Sequence, residues 1–541
     1  MQTENLSNTA APLYRLRAAR WAVGIALGLG LAFELMLDGR APGISVPLWV
    51  GLCIAGLLAA ARLEGARLSR QGAVWPALVL ALALVFPLRL EPLTVALSLL
   101  LALFALAMWV DTLLPGDLLR FGWLDALRSA LLTPCLMLIR PWAVMSDAWH
   151  RSVQEEGWRK PLFATVRGLL LAIPILAVFI ALLASADAVF SDYVQEVLVW
   201  LDLERLLDLL SRGLVVLVTS VVCLGALAVG LQGRRGRSLL GEERPLVSPF
   251  LGYTETMVVL FLMDLLFVAF VAIQFAYLFG GEANINAAGY TFAEYARRGF
   301  GELVFTAGLS LGLIYLLAQV TRRPSRSQVR SFNLLSALQV ILLGIVLVSA
   351  YRRLVLYEAA YGFTRLRTYT HVAIVWIGLA LLVFIVLLLA GRLRRFAPAA
   401  LLGAAGFALT LAAVDVDAFI VASNSQRFEQ TGKLDVAYLL DLTDDAVPGL
   451  VGLTQVAPEP DRELLLAELS CRRTLLRRWQ ARQPSPSAHL SRIKALQALD
   501  TMKEQLVPYV VRPTSWGTWK NGPFVVGIES GPYWCGSAGW D

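Results

Sequence analysis

Residues 371–391 read HVAIVWIGLALLVFIVLLLAG, and the residues that follow are Arg392, Leu393, Arg394 and Arg395. An α-helix of about 20 apolar residues is long enough to cross the hydrocarbon core of a bilayer. Arginines in a short loop next to such a helix favour the cytoplasmic side of the membrane. This stretch therefore predicts a membrane-spanning helix whose C-terminal end faces the cytoplasm.

The same alternation of apolar runs and arginine-rich loops extends along the whole chain. We expect about eleven spans, at 21–37, 45–62, 73–89, 93–110, 163–185, 209–231, 256–280, 302–320, 332–351, 371–391 and 398–415. Arginines cluster in the segment before the first span and in nearly every second loop: Arg15/Arg17/Arg20, Arg62/Arg67/Arg70, Arg234/Arg235/Arg237, Arg322/Arg323/Arg326/Arg330 and Arg392/Arg394/Arg395. With the N-terminus inside, all of these loops lie inside, and the loops 38–44, 89–92, 186–208, 281–301 and 352–370 lie outside.

The composition agrees with a chain whose surface is covered mostly by lipid. Of its 541 residues, 57% are hydrophobic and only 16% are charged, whereas about a quarter of the residues of a soluble domain are charged. The net charge of +7 is concentrated in the short cytoplasmic loops, where orientation and contact with anionic lipid account for it. The sequence therefore predicts an all-α polytopic bundle with membrane lipids, and not nucleic acid, as partners.

No cofactor or metal site is expected. The chain has five cysteines and three histidines, and none of them falls at the spacing of a metal-binding motif. Walker and HExxH motifs are also missing from the sequence.

Two segments between the spans have other patterns. Residues 118–160 contain an apolar stretch from Ser129 to Ile139 that Pro134 interrupts, and we expect an interfacial helix on the cytoplasmic face, because the stretch is too short to span. Residues 187–204 carry an apolar stripe at helical spacing among acidic residues. They predict an amphipathic helix on the outer surface, or alternatively a lid over a site.

The composition changes after residue 415. We expect a cytoplasmic N-terminus at 1–20, a transmembrane domain at 21–415 and an outer helical domain at 416–541 that ends in an irregular tail rich in Trp and Gly. An outer location permits a disulfide between Cys471 and Cys535. Two unpaired thiols are the alternative.

Charged and polar residues inside spans are costly, and each is therefore a candidate for function. Asp264 lies in the middle of one span, Gln274 lies further along the same helix, and Glu34 lies late in the first span. Asp264 forms either a structural hydrogen bond or ion pair between helices, or a proton or ion relay site.

Several arginines occupy outer loops, against the positive-inside bias. Together with nearby acidic and tyrosine side chains they form a candidate ligand site: Tyr290, Glu294, Arg297, Arg298, Tyr357, Glu358, Tyr361, Arg365 and Arg367. One interpretation is an interfacial belt in which the glutamates neutralise the arginines. The other is an outward-facing anion site, because the arginine fork binds phosphate and tyrosine suits the headgroup region.

Several of these segments resemble a known family. The relevant motifs are Asp187-Ala-Val-Phe, Gln274-Phe-Ala-Tyr-Leu-Phe-Gly-Gly, Tyr290-Thr-Phe-Ala-Glu-Tyr-Ala-Arg-Arg-Gly-Phe, Tyr357-Glu-Ala-Ala-Tyr-Gly-Phe-Thr-Arg-Leu-Arg, Asp417-Ala-Phe-Ile with Asn424 and Arg427, Gly432-Lys-Leu-Asp-Val-Ala-Tyr-Leu, and Asp445-Ala-Val-Pro. They are similar to the bacterial membrane proteins grouped as DUF4153/DUF4173. The resemblance implies a multi-pass protein of the bacterial cytoplasmic membrane and implies no reaction.

Three hypotheses about function follow. The first is that the protein binds or moves an anionic, lipid-like envelope component at its outer face. The second is a membrane enzyme that acts on a lipid-linked substrate, with Glu294 or Glu358 as general base. The third is a sensor or assembly scaffold that binds an envelope protein partner through residues 416–541.

Overall fold

The structure is a computed structural model that describes residues 19–66, 71–113, 122–155, 159–200, 203–231, 249–278, 300–482, 487–512, 524–526 and 533–535. The helices of the membrane domain are α1 (Ala19–Leu37), α2 (Ser45–Leu63), α3 (Val74–Ala83), α4 (Pro92–Thr112), α5 (Trp123–Glu155), α6 (Arg159–Ala186), α7 (Ala188–Trp200), α8 (Leu203–Leu231), α9 (Tyr253–Leu278), α10 (Phe300–Val320), α11 (Arg326–Tyr361), α12 (Arg365–Leu389) and α13 (Phe396–Val414). The C-terminal part contains α14 (Val416–Thr431), α15 (Val436–Leu440), α16 (Val447–Leu453), α17 (Asp461–Arg482) and α18 (Leu490–Thr501), followed by β1 (Val510–Arg512), β2 (Phe524–Val526) and β3 (Tyr533–Trp534).

The predicted class, an all-α polytopic membrane protein, is confirmed. Within the described ranges, ten helices are long and apolar enough to cross a membrane, and backbone groups in a bilayer must be satisfied inside helices of this kind. Two of the eleven predicted spans are not among these ten. At 73–89, α3 has only ten residues and turns follow it up to residue 88, and the span predicted at 163–185 falls within α6. This chain is a multi-pass membrane protein.

The helix in residues 118–160 is longer than the short interfacial helix that the sequence predicts. Helix α5 continues through Pro134 and Pro141, and its part from Trp123 to Ser146 is long and apolar enough to span. It packs lengthwise on α8, so closely that a Cβ on Gly225 would lie 1.8 Å from the carbonyl oxygen of Met137. Contacts of this kind keep a helix intact at proline, where one backbone hydrogen bond is lost.

The loops segregate to two ends of the bundle, as the arginine pattern predicts. At one end, Arg394 approaches Asp125 at the start of α5 (3.7 Å), and Arg322 donates to the carbonyl of Pro249 (2.6 Å). We call this the arginine-rich end. At the other end, Ile44 donates to the carbonyl of Ala488 (3.0 Å) in the C-terminal part. We call that the domain end.

Helix α8 fixes the orientation downstream of α5. Its first half lies at the domain end, where Arg212 approaches Glu34 (3.6 Å). Its last turn lies at the arginine-rich end, where Gly230 sits beside Leu57 and Leu113. Since α5 starts at the arginine-rich end and α8 starts at the domain end, the chain between them makes an odd number of crossings. The alternation of loops from α8 onward is therefore the predicted one.

The C-terminal part is a helical domain with a small sheet. Its helices enclose a core that also receives Leu411 of α13 and Tyr369 of α12, so the domain packs directly on the bundle. The tail predicted to be irregular contributes an antiparallel sheet in the order β1-β2-β3. A disulfide joins Cys471 of α17 to Cys535 after β3. The two cysteines are therefore bonded to each other and are not free thiols.

The disulfide provides a test of which end faces the cytoplasm. Disulfides persist outside the cytoplasm and are rare within it. If the domain end is outside, denatured protein from cells blocked at harvest should react with maleimide-polyethylene glycol at three cysteines without reductant, namely Cys53, Cys135 and Cys223, and at five after reduction.

The variant Cys471→Ser is the matched control. It should show four reactive thiols without reductant, because Cys535 loses its partner. Five reactive thiols in the unreduced wild-type protein would contradict the predicted orientation.

Candidate functional site

Asp417, in the first turn of α14, is the most completely buried carboxylate at the domain end, with 0% of its surface exposed. Arg365, the first residue of α12, donates to it through Nε (2.8 Å) and Nη2 (2.7 Å). Thr443 adds its backbone N–H (2.8 Å) and its hydroxyl (2.7 Å). Because it is paired with an arginine and accepts four hydrogen bonds, the carboxylate can remain charged in a buried position.

The junction between α13 and α14 places Asp417 in this position. Asp415 adopts the left-handed conformation (φ 58°), which ends α13 and turns the chain into α14. Arg89 holds this junction, because it binds the carboxylate of Asp415 (2.8 Å) and donates to the carbonyl of Ala412 (2.6 Å). The loop before α4 is thereby tied to the end of α13.

Glu91 connects the same loop to α12. As the N-cap of α4, it accepts hydrogen bonds from the backbone N–H groups of Leu93 and Thr94, both at 2.8 Å, which satisfies the free donors of a helix start. The hydroxyl of Tyr369 on α12 also donates to it. A buried carboxylate therefore joins two helices that are far apart in sequence.

Asp445 extends the network into the C-terminal domain. It accepts a hydrogen bond from the backbone N–H of Leu90 (2.8 Å) and another from the hydroxyl of Ser491. Together these side chains form what we call the outer network: Arg89, Glu91, Arg365, Tyr369, Asp415, Asp417, Thr443, Asp445 and Ser491. Most of their polar groups already have partners, so the arrangement is suited to holding the domain on the bundle.

A second pair lies beside the network. Glu358, buried near the end of α11, contacts His371 Nε2 of α12 at 2.5 Å.

The turn between these helices needs glycine at 362, because its φ is +79° and a Cβ there would lie 2.5 Å from the side-chain oxygen of Asn424. Asn424 in turn exchanges two hydrogen bonds with the backbone of Phe363 (2.8 and 2.9 Å).

A third group, on the surface, contains three of the predicted ligand residues. The rings of Tyr357 and Tyr361 lie 5.0 Å apart, and the guanidinium of Arg367 lies 4.1 Å from the ring centre of Tyr357. Arg367 also donates to the carbonyl of Gly362. This is a cation–π stack, and it resembles the interfacial belt that the sequence offered as one interpretation.

Of the five described members of the predicted ligand site, the structure brings together only Tyr357, Tyr361 and Arg367. Glu358 pairs with His371, Arg365 pairs with Asp417, and Arg367 stacks with the tyrosines. Four further candidates, Tyr290, Glu294, Arg297 and Arg298, lie outside the described residues.

The three intramembrane candidates differ from one another. Gln274 accepts hydrogen bonds from Ser349 (2.7 Å) and Arg353 (2.6 Å) of α11, and Glu34 approaches Arg212. Asp264 is buried, and neither of its carboxylate oxygens has a hydrogen-bond partner among the residues that the structure describes.

A groove of about 600 Å³ runs between α12 and α13. Trp376, Ala380 and Val383 form one wall, and Phe396, Gly403 and Phe407 form the other. The lining residues are all apolar. The indole N–H of Trp376 donates to Thr410 (3.2 Å), so even this polar group is satisfied within the wall.

Comparison with known proteins identifies a family. The family described as "Domain of unknown function (DUF4153)" matches residues 75–453. The chain belongs to the DUF4153 family. The matched range contains every member of the outer network except Ser491, and it also contains the groove and Asp264. No curated protein and no solved structure matches the chain.

Sequence reasoning missed the partners that complete these contacts. In the sequence, Asp417 and Asp445 stand out only as parts of the family-like motifs, and His371 belongs to no motif. Glu91 had a readable signal, because Pro92 follows it directly and proline favours the first position of a helix. The pairing of Glu358 with His371 and of Arg365 with Asp417 had no signal in the sequence.

The Asp417→Asn variant should destabilise the protein by about 3 kcal/mol, because it removes the fully buried partner of the partly buried Arg365 guanidinium. Asp500→Asn is the matched control. Asp500 binds two arginines at 2.9 Å but is 41% exposed, so its loss should cost at most about 1 kcal/mol. Unfolding of the solubilised protein in SDS measures both, and equal losses would contradict the role assigned to Asp417.

Two buried groups at the domain end should give opposite pH dependences. Burial raises the pKa of Asp445 to about 6, although hydrogen bonds from Ser491 and Leu90 lower it. Burial, and next the charge of Arg492, lower the pKa of His489 to about 4. As pH rises from about 4 to 6.5, the raised pKa of Asp445 makes the free energy of unfolding fall, and the lowered pKa of His489 makes it rise. Each change is about 3 kcal/mol at most.

The wild-type protein should therefore show a nearly flat stability across this window. His489→Gln should become less stable as pH rises, and Asp445→Asn should become more stable. SDS unfolding at several values between pH 4 and 7 gives the slopes, and slopes of the same sign in the two variants would contradict the assignment.

Proposed function

We propose that this multi-pass protein binds or moves an anionic, lipid-like envelope component in the bacterial cytoplasmic membrane. The apolar chain of the ligand occupies the groove between α12 and α13, and its charged end lies beside Arg365 at the domain end. The observation that carries the proposal is the groove, an apolar cavity bounded by two helices that are each able to span the membrane.

The chemistry of the groove suits a hydrocarbon chain. Ligand sites are lined mainly by apolar side chains and use polar groups to fix orientation. Ala373 and Val383 line the groove along α12, and ten residues of helix rise about 15 Å, which is about half of a bilayer's hydrocarbon core of about 30 Å. A groove of this depth accommodates part of a lipid chain.

A cation lies above the same face of α12. Arg365 precedes Trp376 by eleven positions, which on an α-helix places the two within about 20° of each other. Two of the three guanidinium nitrogens of Arg365 bind Asp417, and Nη1 makes no hydrogen bond to any described residue. We assign Nη1 to the anionic end of the ligand. Arg367 precedes Trp376 by nine positions and faces the opposite side.

A membrane enzyme is the second candidate. The contact between Glu358 and His371 supports it, because a buried carboxylate beside an imidazole is an arrangement used for general base catalysis. The third hypothesis, a scaffold that binds an envelope protein through residues 416–541, assumed that the bundle has no cavity. The groove weighs against that reading.

Filling the groove should weaken lipid binding. A Cβ on Gly403 would lie 3.9 Å from the Trp376 ring, so Gly403→Leu places its side chain in the groove. Overpacking costs about 1–3 kcal/mol, and affinity should fall about tenfold. Native mass spectrometry of purified protein with phosphatidylglycerol and phosphatidylcholine of equal chain length measures binding.

Gly308→Leu is the matched control, because a Cβ there has no neighbour within 4 Å. It should bind lipid as the wild-type protein does. Unchanged binding by Gly403→Leu would contradict the groove as the site. Equal binding of the anionic and the zwitterionic lipid by the wild-type protein would contradict the preference for an anionic headgroup. It would leave the groove as the site of the lipid chain.

A further inference from the structure

Asp264 lies in the middle of α9, eleven residues after Tyr253 and fourteen before Leu278. Only 3% of its surface is exposed. Across the described part of the chain, both of its carboxylate oxygens lack a hydrogen-bond partner. It is therefore a buried acid at the centre of a helix that is long and apolar enough to span the membrane.

The other buried polar groups of α9 are satisfied. Near the arginine-rich end, the hydroxyls of Thr256 and Thr321 contact each other at 2.9 Å. Near the domain end, Gln274 accepts hydrogen bonds from Ser349 and Arg353 of α11. Among the described side chains of α9, the lack of a protein partner is therefore particular to Asp264.

Helix α11 places unpartnered polar atoms at the same depth. Both helices run from the arginine-rich end to the domain end and meet at the contact of Gln274 with Ser349 (2.7 Å). Asp264 and Gln339 each lie ten positions before that contact, about 15 Å along their helices. Gln339 is fully buried, and its amide oxygen and nitrogen also lack partners among the described residues.

An ionised carboxylate in an apolar medium without a partner is strongly disfavoured. The acid is stable there when it is neutral, which requires one proton on one oxygen. A divalent cation is a poorer fit, because Mg²⁺ or Ca²⁺ takes six or more oxygen ligands and a single carboxylate supplies at most two.

We propose that Asp264 is a proton-binding site at the centre of the bundle. Its carboxylate takes up one proton to form the neutral acid and releases the same proton when it ionises, and Gln339 of α11 lies at the same depth. Intramembrane acids of proton pathways have this placement. The site is separate from the groove between α12 and α13.

A hydrophobic carbodiimide tests the protonated state directly. The carboxyl proton of a neutral acid moves to a nitrogen of dicyclohexylcarbodiimide, and the carboxylate oxygen bonds to its central carbon. The acyl group then migrates to nitrogen, so the whole reagent is retained and no group leaves. We expect the peptide that contains Asp264 to carry this mass addition in membrane-embedded wild-type protein.

The labelling should depend on pH, falling about tenfold per pH unit once the acid ionises. Asp264→Asn, which keeps the shape of the side chain, should lose the label while its elution on gel filtration stays unchanged. Asp417 serves as the internal control, because its charge is paired with Arg365 and it should remain unlabelled between pH 5 and 8.

Infrared difference spectroscopy covers the case in which the reagent cannot reach the site. A protonated-carboxyl C=O band that titrates with pH and disappears in Asp264→Asn would support the proposal without labelling. Absence of both the label and the band between pH 5 and 8 would overturn it. A band that persists unchanged in Asp264→Asn would overturn it as well.

Discussion

Exclusion of water from the bilayer core is the constraint on which this structure depends. Backbone groups there must bond within helices, and polar side chains need partners from the protein itself. Membrane-spanning helices therefore bury few polar groups, and the densest set of them lies at the domain end. The outer network satisfies its charges with one another, so that the ends of α4, α12 and α13 can be covered by the C-terminal domain without unpaired charges.

Asp417 shows how this burial also fixes the domain on the bundle. Its carboxylate joins Arg365 of α12 to Thr443 of the C-terminal domain, and Asp445 and Glu91 attach the loop before α4 to the same region. Breaking a buried pair costs much more than breaking an exposed one. Buried pairs therefore hold the domain on the helix ends, and the groove runs between two helices, α12 and α13, that these contacts tie to the domain.

The sequence predicted the parts of the fold that depend on local composition. Apolar runs and arginine loops predicted nine of the ten spans found among the described residues and the two ends of the bundle, since length and charge bias act within one segment. The continuity of α5 through Pro134 was not predictable, because it depends on packing against α8. The partners of Glu358 and Arg365 were not predictable either. The sequence suggested mutual neutralisation among the outer-loop residues, whereas tertiary contacts supply His371 and Asp417.

Asp417 and Asp264 are the same residue type, and both are almost fully buried, but their surroundings require different states. Four donors, two of them from a guanidinium, stabilise the charge of Asp417. Asp264 has no such donors among the described residues, and its charged form would therefore be destabilised by the full free energy of desolvation. A carboxylate that exists only to hold helices together would be expected to have partners of the kind that Asp417 has. The isolation of Asp264 therefore favours reversible proton binding over a structural role, and the site proposed for it lies inside the bundle, apart from the domain end.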